Sequence, residues 1–425
     1  MTVAAANTEI GWSKPAMSMR VLRWQRRAFG LAAALALALP ATGCMTTEQT
    51  AAQASSSLPA SDLAAIRYFA DSPPSDLVPK RRAGDRHTVL ALSGGGPDGA
   101  YGVGALAGWS NAGTRPAFDV VTGVSTGALM APFAFLGRDY DELIAGLYTG
   151  PKIAGLLNGG VGNLVWQPGL YRHEPLRALI DEHVTDDLLV RIAGEHRKGR
   201  RLLIATSSLD AQRVTVWNLG ALAASERPDR LTLFRDVLTA SISVPVLFPP
   251  VPLPGPRPGE LHADAGVLRG FYSGLELFPG EGRGCASRRQ PCALYVIIHN
   301  KLYPEAREIP ASIGTIGSWA VASIIKSNLM LALETAQQKS RENGIRFGMA
   351  YLDTDRPGVS PIDFDIPYMQ AMYALGHDRA RRPDFWRGTL LPPKGPAPAA
   401  APVAPPVSAA PLLAHDPARS AALAP

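Results

Sequence analysis

Cysteine is scarce in this chain: Cys44, Cys285 and Cys292 are the only three in 425 residues. No Cys-x-x-Cys pair and no His-Glu-x-x-His occurs, and the eight histidines are scattered, which excludes structural zinc fingers and zincin-type metalloproteases. No metal and no cofactor is expected on these grounds. The chain also lacks an internal repeat, so solenoids and propellers are excluded. The net charge of +6 is not a polyanion-binding surface, because residues 1 to 43 hold five of the basic residues (Lys14, Arg20, Arg23, Arg26 and Arg27) and one acid, Glu9; the remainder carries +2. No nucleic-acid partner is expected.

What those first residues do contain is a targeting signal. Four arginines precede the apolar run Phe29 to Leu39, too short to span a bilayer, and Ala41-Thr42-Gly43-Cys44 follows. Small residues before a cysteine look like a bacterial lipoprotein cleavage box. The expectation is a lipoprotein signal peptide at 1–43, lipidation of Cys44, and a place in the bacterial cell envelope, anchored to a membrane by the lipid, or secretion. Residues 44–85 then read as the lipidated N-terminus and a flexible tether, with a Thr/Ala/Gln/Ser-rich beginning. Residues 391–425 form a Pro/Ala tract too poor in large apolar side chains to fold. Between them, 86–390 is long enough for one large core. Strand-like segments near 88 to 93, 119 to 124, 202 to 207 and 294 to 299 alternate with helical stretches, which predicts a three-layer α/β/α domain with a central, mostly parallel sheet.

Two glycine-bearing turns stand out inside that domain. Gly123-Val124-Ser125-Thr126-Gly127 follows the apolar Asp119-Val-Val-Thr and precedes the helix-like Ala128-Leu-Met-Ala. Gly123 and Gly127 allow a sharp turn and close strand–helix packing, so the Ser125 hydroxyl stands at the tip as a nucleophile. About thirty residues upstream, Ser93-Gly94-Gly95-Gly96-Pro97-Asp98-Gly99 links the strand-like Thr88-Val-Leu-Ala-Leu to another helix. The amides of Gly94, Gly95 and Gly96 are the expected oxyanion donors for acyl transfer. The same glycines also fit a dinucleotide fingerprint, with Asp119 twenty residues on. That reading fails because Asp119 begins its strand instead of ending it, and Pro97 and Asp98 occupy the pyrophosphate position. Further on, Asp264 sits among small residues in His262-Ala263-Asp264-Ala265-Gly266, where a carboxylate can approach another loop closely and act as a general base; capping of a local turn is the plainer alternative.

In this order the three elements resemble the patatin-like phospholipases, over roughly residues 86 to 390. The resemblance implies that Ser125 is the nucleophile, Asp264 its dyad partner, and the amides around Gly95 and Gly96 the oxyanion hole, with phospholipid or another lipid ester as substrate. Ala205-Thr-Ser-Ser-Leu-Asp210 and Ala240-Ser-Ile-Ser-Val-Pro-Val-Leu-Phe-Pro249 are similar to family segments too, and Pro245 to Phe248 would line an acyl pocket. This chain departs from the family at Asp98, where Arg or Lys is usual, and at Ala265-Gly266, where Gly follows the aspartate.

A Ser-His-Asp triad is the rival chemistry, with His299 or His377 following the acid, and a non-catalytic lipid-binding lipoprotein on the same fold is the rival class. His299 reads as a strand-end residue, while His173-Glu174 and Glu182-His183 read as solvated helix positions. Residues 309 to 333 carry one charge, Lys326. Glycine and serine interrupt the stretch, so a helix buried against the sheet is expected, and a lipid-facing helix is the alternative. In an exported protein Cys285 and Cys292, close in sequence, are expected to form a disulfide.

Overall fold

A computed structural model of the chain describes residues 60–75, 77, 87–155, 169, 171–277, 285, 292–303, 308–309, 311, 313–354 and 364–389. The chain divides into two units, Met1–Ala54 and Ser55–Pro425, and every described residue belongs to the second. The expected signal peptide at 1–43, the expected acylation site Cys44 and the expected Pro/Ala tail at 391–425 lie outside the described residues.

Among the described residues nine strands form one sheet. In chain order they are β1 (Arg67–Phe69), β2 (His87–Leu92), β3 (Val120–Gly123), β4 (Arg201–Ser208), β5 (Arg213–Asn218), β6 (Val251–Leu253), β7 (Glu260–Asp264), β8 (Cys292–Lys301) and β9 (Arg346–Leu352). The main path runs β1-β5-β4-β3-β2-β8-β9, and the central pairs β4-β3, β3-β2, β2-β8 and β8-β9 are parallel. Central parallel strands are covered on both faces, which is why Val89 to Leu92 of β2 form a continuous apolar run and all six β2 residues are buried. Leu90 and Leu92 point to one core and Val89 and Ala91 to the other.

The helices are α1 (Ala60–Ile66), α2 (Gly99–Asn111), α3 (Thr126–Leu136), α4 (Asp141–Thr149), α5 (Glu174–His183), α6 (Asp186–Arg197), α7 (Leu219–Ala224), α8 (Arg230–Ile242), α9 (Ile313–Glu342) and α10 (Ile366–Ala380). Residues of α2 to α8 and α10 fill the core on one face, including Trp109, Phe135, Ile180 and Phe234. The other face is covered by Phe271 and Tyr272 of the loop after β7 and by Leu329 and Leu333 of α9. The result is a three-layer α/β/α fold around a mostly parallel sheet.

The register of β4 places the site. One edge of β4 pairs with β5 along Leu203 to Ser208. Its other edge is shared: β3 pairs with Arg201 to Ile204 and stops, and β7 then arrives antiparallel beside Thr206 to Ser208, with Asp264 opposite Thr206. The end of β7 therefore abuts the end of β3, where the chain turns at Ser125.

The assignment of 44–85 to a tether needs correction. Ala60–Ile66 is helical, and Arg67–Phe69 pairs with Thr215–Trp217 as an edge strand of the sheet. The cause is Arg67, whose guanidinium bonds both oxygens of Glu260 at 3.0 and 3.1 Å with both side chains about 5% exposed. This buried pair fastens the N-terminal strand to β7. Cys285 and Cys292 are disulfide-bonded, closing a loop across seven positions at the start of β8.

Candidate active site

Ser125 caps α3 with φ 55° and ψ −128°, a left-handed conformation that costs a non-glycine residue about 1–3 kcal/mol and persists only where the surroundings hold it. The holding groups are visible. The Ser125 N–H donates to Ser241 Oγ at 3.1 Å, and the Ser241 hydroxyl donates in turn to the Ala205 carbonyl at 2.8 Å. Gly127 lets the first turn of α3 lie on the end of β2: a Cβ there would sit 2.5 Å from the Leu92 carbonyl oxygen and 2.6 Å from that of Ser93. Gly123 is packed against the backbone of Gly127 and Ala128 in the same way. Ser125 is half-buried.

Asp264 ends β7 and is 1% exposed. Its Oδ1 accepts the Gly266 N–H at 2.7 Å, and its own N–H donates to the Ser243 carbonyl at 2.9 Å. Burial pushes its carboxyl up to about 6; the Ser125 hydroxyl, within interaction range, and the Gly266 N–H pull it partly back. The glycine at 266 has a reason, since a Cβ there would lie 3.0 Å from Asp264 Oδ1, whereas the Ala265 methyl is buried in the core. The Asp-Ala-Gly order thus keeps the bare position where the carboxylate needs it.

The glycine loop passes beside Ser125: a Cβ on Gly94 would be 3.0 Å from that of Ser125. Its amides are not equivalent. The Gly94 N–H donates to the Gly270 carbonyl at 3.2 Å, so Gly94 is not an available oxyanion donor in this structure, a correction to the three-amide expectation. The reason is the chain after β7, which doubles back against the loop. The N–H groups of Gly95 and Gly96 make no hydrogen bond among the described residues. Asp98, the charge that departs from the family pattern, is buried and accepts the Tyr368 hydroxyl of α10 at 2.5 Å.

The candidate histidines are occupied elsewhere. His299 on β8 is wedged under the glycine loop, where its Nδ1 donates to the Ser93 carbonyl at 2.6 Å and its N–H takes the Ser93 Oγ as acceptor at 3.0 Å. Its ring lies against Gly102, and its neighbour Asn300 donates to the Gly94 carbonyl at 3.0 Å. Full burial pushes the imidazole down to about 4, so it is neutral. His377 on α10 bonds Asn111 at the end of α2 at 2.9 Å. His173 is not the solvated residue expected: it is half-buried, stacked on Phe248 with ring centres 5.6 Å apart, and bonded to Ser243 Oγ at 2.8 Å. Because that hydroxyl already donates to the Thr239 carbonyl at 2.7 Å, the His173 Nε2 carries the proton and donates. Sequence reasoning passed over Ser241, Ser243 and His173 as site elements; the only available signal was the similarity of Ala240 to Pro249 to a family segment. Among the described residues no group of three His, Cys, Asp or Glu side chains is arranged to hold a metal ion.

Residues 90–271 match the model of the patatin-like phospholipases. This stretch is a patatin-like phospholipase domain. The match begins in β2 and ends just past Asp264, so the glycine loop, the Ser125 elbow and β7 all lie inside it. The family takes its name from phospholipase activity. Among solved structures, VipD from Legionella pneumophila is similar at 13% identity and a TM-score of 0.36, over 69% of this chain and 66% of VipD. This chain thus spans just under two thirds of that chain's length, and the likeness is a loose one. No protein of curated function matches the sequence.

Proposed function

We propose that the patatin-like domain hydrolyses fatty acyl esters of phospholipids or lysophospholipids through a Ser125–Asp264 dyad. The observation that carries this reading is the meeting of a strained serine elbow with a buried aspartate whose proton affinity burial has raised to about 6. An ordinary carboxylate is a weak base; one near 6 is a better one and is still ionised at neutral pH. Asp264 takes the Ser125 proton as Oγ attacks the ester carbonyl. The carbonyl oxygen, now negative, is received by the N–H groups of Gly95 and Gly96. Asp264 returns the proton to the leaving alcohol, leaving an acyl-serine; it then deprotonates a water that releases the fatty acid and restores the hydroxyl. The neutral His299, with Nδ1 donated to Ser93, supports a positioning role under the loop. Ser241, Ser243 and His173 are further positioning residues.

A fluorophosphonate probe tests the reading. Wild-type protein should be labelled on Ser125, and Ser125→Ala should not. Asp264→Asn should react slowly, and the double variant should hydrolyse esters no more slowly than Ser125→Ala, because groups acting as a unit are non-additive. Full labelling of Asp264→Asn together with loss in a folded His377→Ala would overturn the dyad in favour of a triad. No labelling of wild type under any lipid condition would instead favour a lipid-binding protein. The same reading includes acylation of Cys44 and envelope anchoring. Cys44→Ser should lose both the lipid and its processing, and salt-resistant membrane partition of that variant with an unchanged mature N-terminus would refute it.

A further inference from the structure

Helix α9 is not buried against the sheet as its composition suggests. Only its second half supplies core residues, and the most apolar window within Thr315–Glu342 is 11% buried. Its inner stripe is clamped to the site. Ile325 Cγ2 lies 3.5 Å from where a Gly266 Cβ would be, Asn328 Nδ2 donates to the Val267 carbonyl at 2.6 Å, and Leu329 packs on Gly270, whose carbonyl holds the glycine loop. The outward stripe is Ile316, Ala320, Ile324, Ser327 and Leu331, spaced at three and four residues, and all five are exposed. A surface helix normally turns its polar side outward. Here the outward side is uncharged for ~22 Å, at 1.5 Å per residue, and then changes abruptly at Glu334, Thr335 and Gln338.

Among the described residues of α9, no charged side chain lies on this face between Ile316 and Leu331. Lys326, the one charge from Ile309 to Leu333, turns its ammonium back to the Tyr303 carbonyl at 2.5 Å. Val246 and Leu268, 41% and 43% exposed, extend the patch toward the site. Val246 lies 4.0 Å from a Cβ placed on Gly317 and holds φ 74°, an unusual conformation for a β-branched residue. It is three residues past Ser243, the residue whose carbonyl positions Asp264.

We infer that the outward face of the first half of α9, with Val246 and Leu268, docks the domain on an uncharged lipid surface and sets Ser125 at that surface. This rests on the lipid-hydrolase reading above. Lipid is the occupant that fits because the face is a few side chains wide, uncharged and ends in a polar turn, while the opposite stripe of the same helix packs on the turn that follows the proposed base. Because the inner stripe is fixed to the domain, the helix lies in the interface and does not cross it. With no cation among the described residues of this helix face, the docking is independent of anionic lipid and of salt.

The test places an environment-sensitive NBD group at Ile324→Cys and, separately, at Gln338→Cys in the full exported chain, with phosphatidylcholine vesicles. The NBD emission should shift to the blue at 324 and not at 338, equally at low and at high salt. No shift at 324, equal shifts at both positions, or a shift lost in high salt would each overturn the inference. So would a shift present without vesicles that disappears on dilution, which would make a second copy the occupant. Ile316→Glu with Ile324→Glu should lower hydrolysis of vesicle phosphatidylcholine about tenfold or more, the effect of losing one apolar anchor worth about 1.4 kcal/mol. A soluble short-chain ester should be cleaved at the wild-type rate. Fluorophosphonate labelling of Ser125 separates the two proposals: labelling without the spectral shift removes the docking face alone, and a shift without labelling removes the catalytic reading.

Discussion

Above neutral pH the buried Asp264 carboxylate works against the fold, and Asp264→Asn should make the protein more stable while disabling it. The carboxyl is raised from 3.8 to about 6 in the folded chain. That difference of about two units corresponds to about 3 kcal/mol at 1.36 kcal/mol per unit. The sign is fixed by proton counting. Below about pH 4 both states hold the proton and the group is neutral in its effect; between about 4 and 6 the unfolded chain has released the proton and the folded one has not, so stability falls as pH rises; above about 6 the loss is complete and constant. Asparagine does not ionise, keeps Oδ1 for the Gly266 N–H, and can donate to Ser125. Denaturant unfolding of both proteins across this range should therefore show little difference near pH 4 and a gain of about 3 kcal/mol for Asp264→Asn by about pH 7. In parallel, wild-type kcat/KM should climb about tenfold per pH unit below 6 and level off above it, as the base loses its proton. A variant less stable than wild type at about pH 8, or a stability difference independent of pH, would refute the buried-base argument.

Three other outcomes follow from the packing. Gly127→Ala forces a methyl to within 2.5 Å of the Leu92 carbonyl oxygen; it should cost about 1–3 kcal/mol and slow fluorophosphonate labelling, while Gly146→Ala in α4, with open space around it, should stabilise by up to about 1 kcal/mol. Arg67→Met leaves Glu260 charged and buried, so chemical denaturation should show a loss of about 3–5 kcal/mol, much of it recovered by adding Glu260→Leu. Reduction of the Cys285–Cys292 disulfide, or Cys292→Ser, should lower stability by about 2 kcal/mol without unfolding the domain at room temperature, because the closed loop is short. Equal stability of the oxidised and reduced proteins would count against that estimate.

Local chemistry was legible in the residues themselves. The elbow at Ser125, the glycine loop and the two bridging cysteines each depend on neighbours a few positions away, and the apolar run Val89 to Leu92 marks a strand covered on both faces. Each of these is a short-range constraint, so the amino-acid string carries it whole. Even the departure at Ala265-Gly266 was visible, although not its meaning, because only the position of the Asp264 carboxylate shows which of the two residues must be bare.

The rest was decided by tertiary pairing. Asp264 meets Ser125 because β3 ends at Ile204 on the edge of β4 and β7 continues that edge from Thr206, a register no local pattern encodes. The Gly94 amide is lost to Gly270, Arg67 draws a supposed tether into the sheet, and His299 becomes the wedge under the loop, each through a contact between residues far apart in sequence. Helix α9 makes the same point in reverse. Its apolar composition was plain, but composition cannot say whether an apolar face is covered by protein or left outward, and here only the second half of the helix supplies core residues.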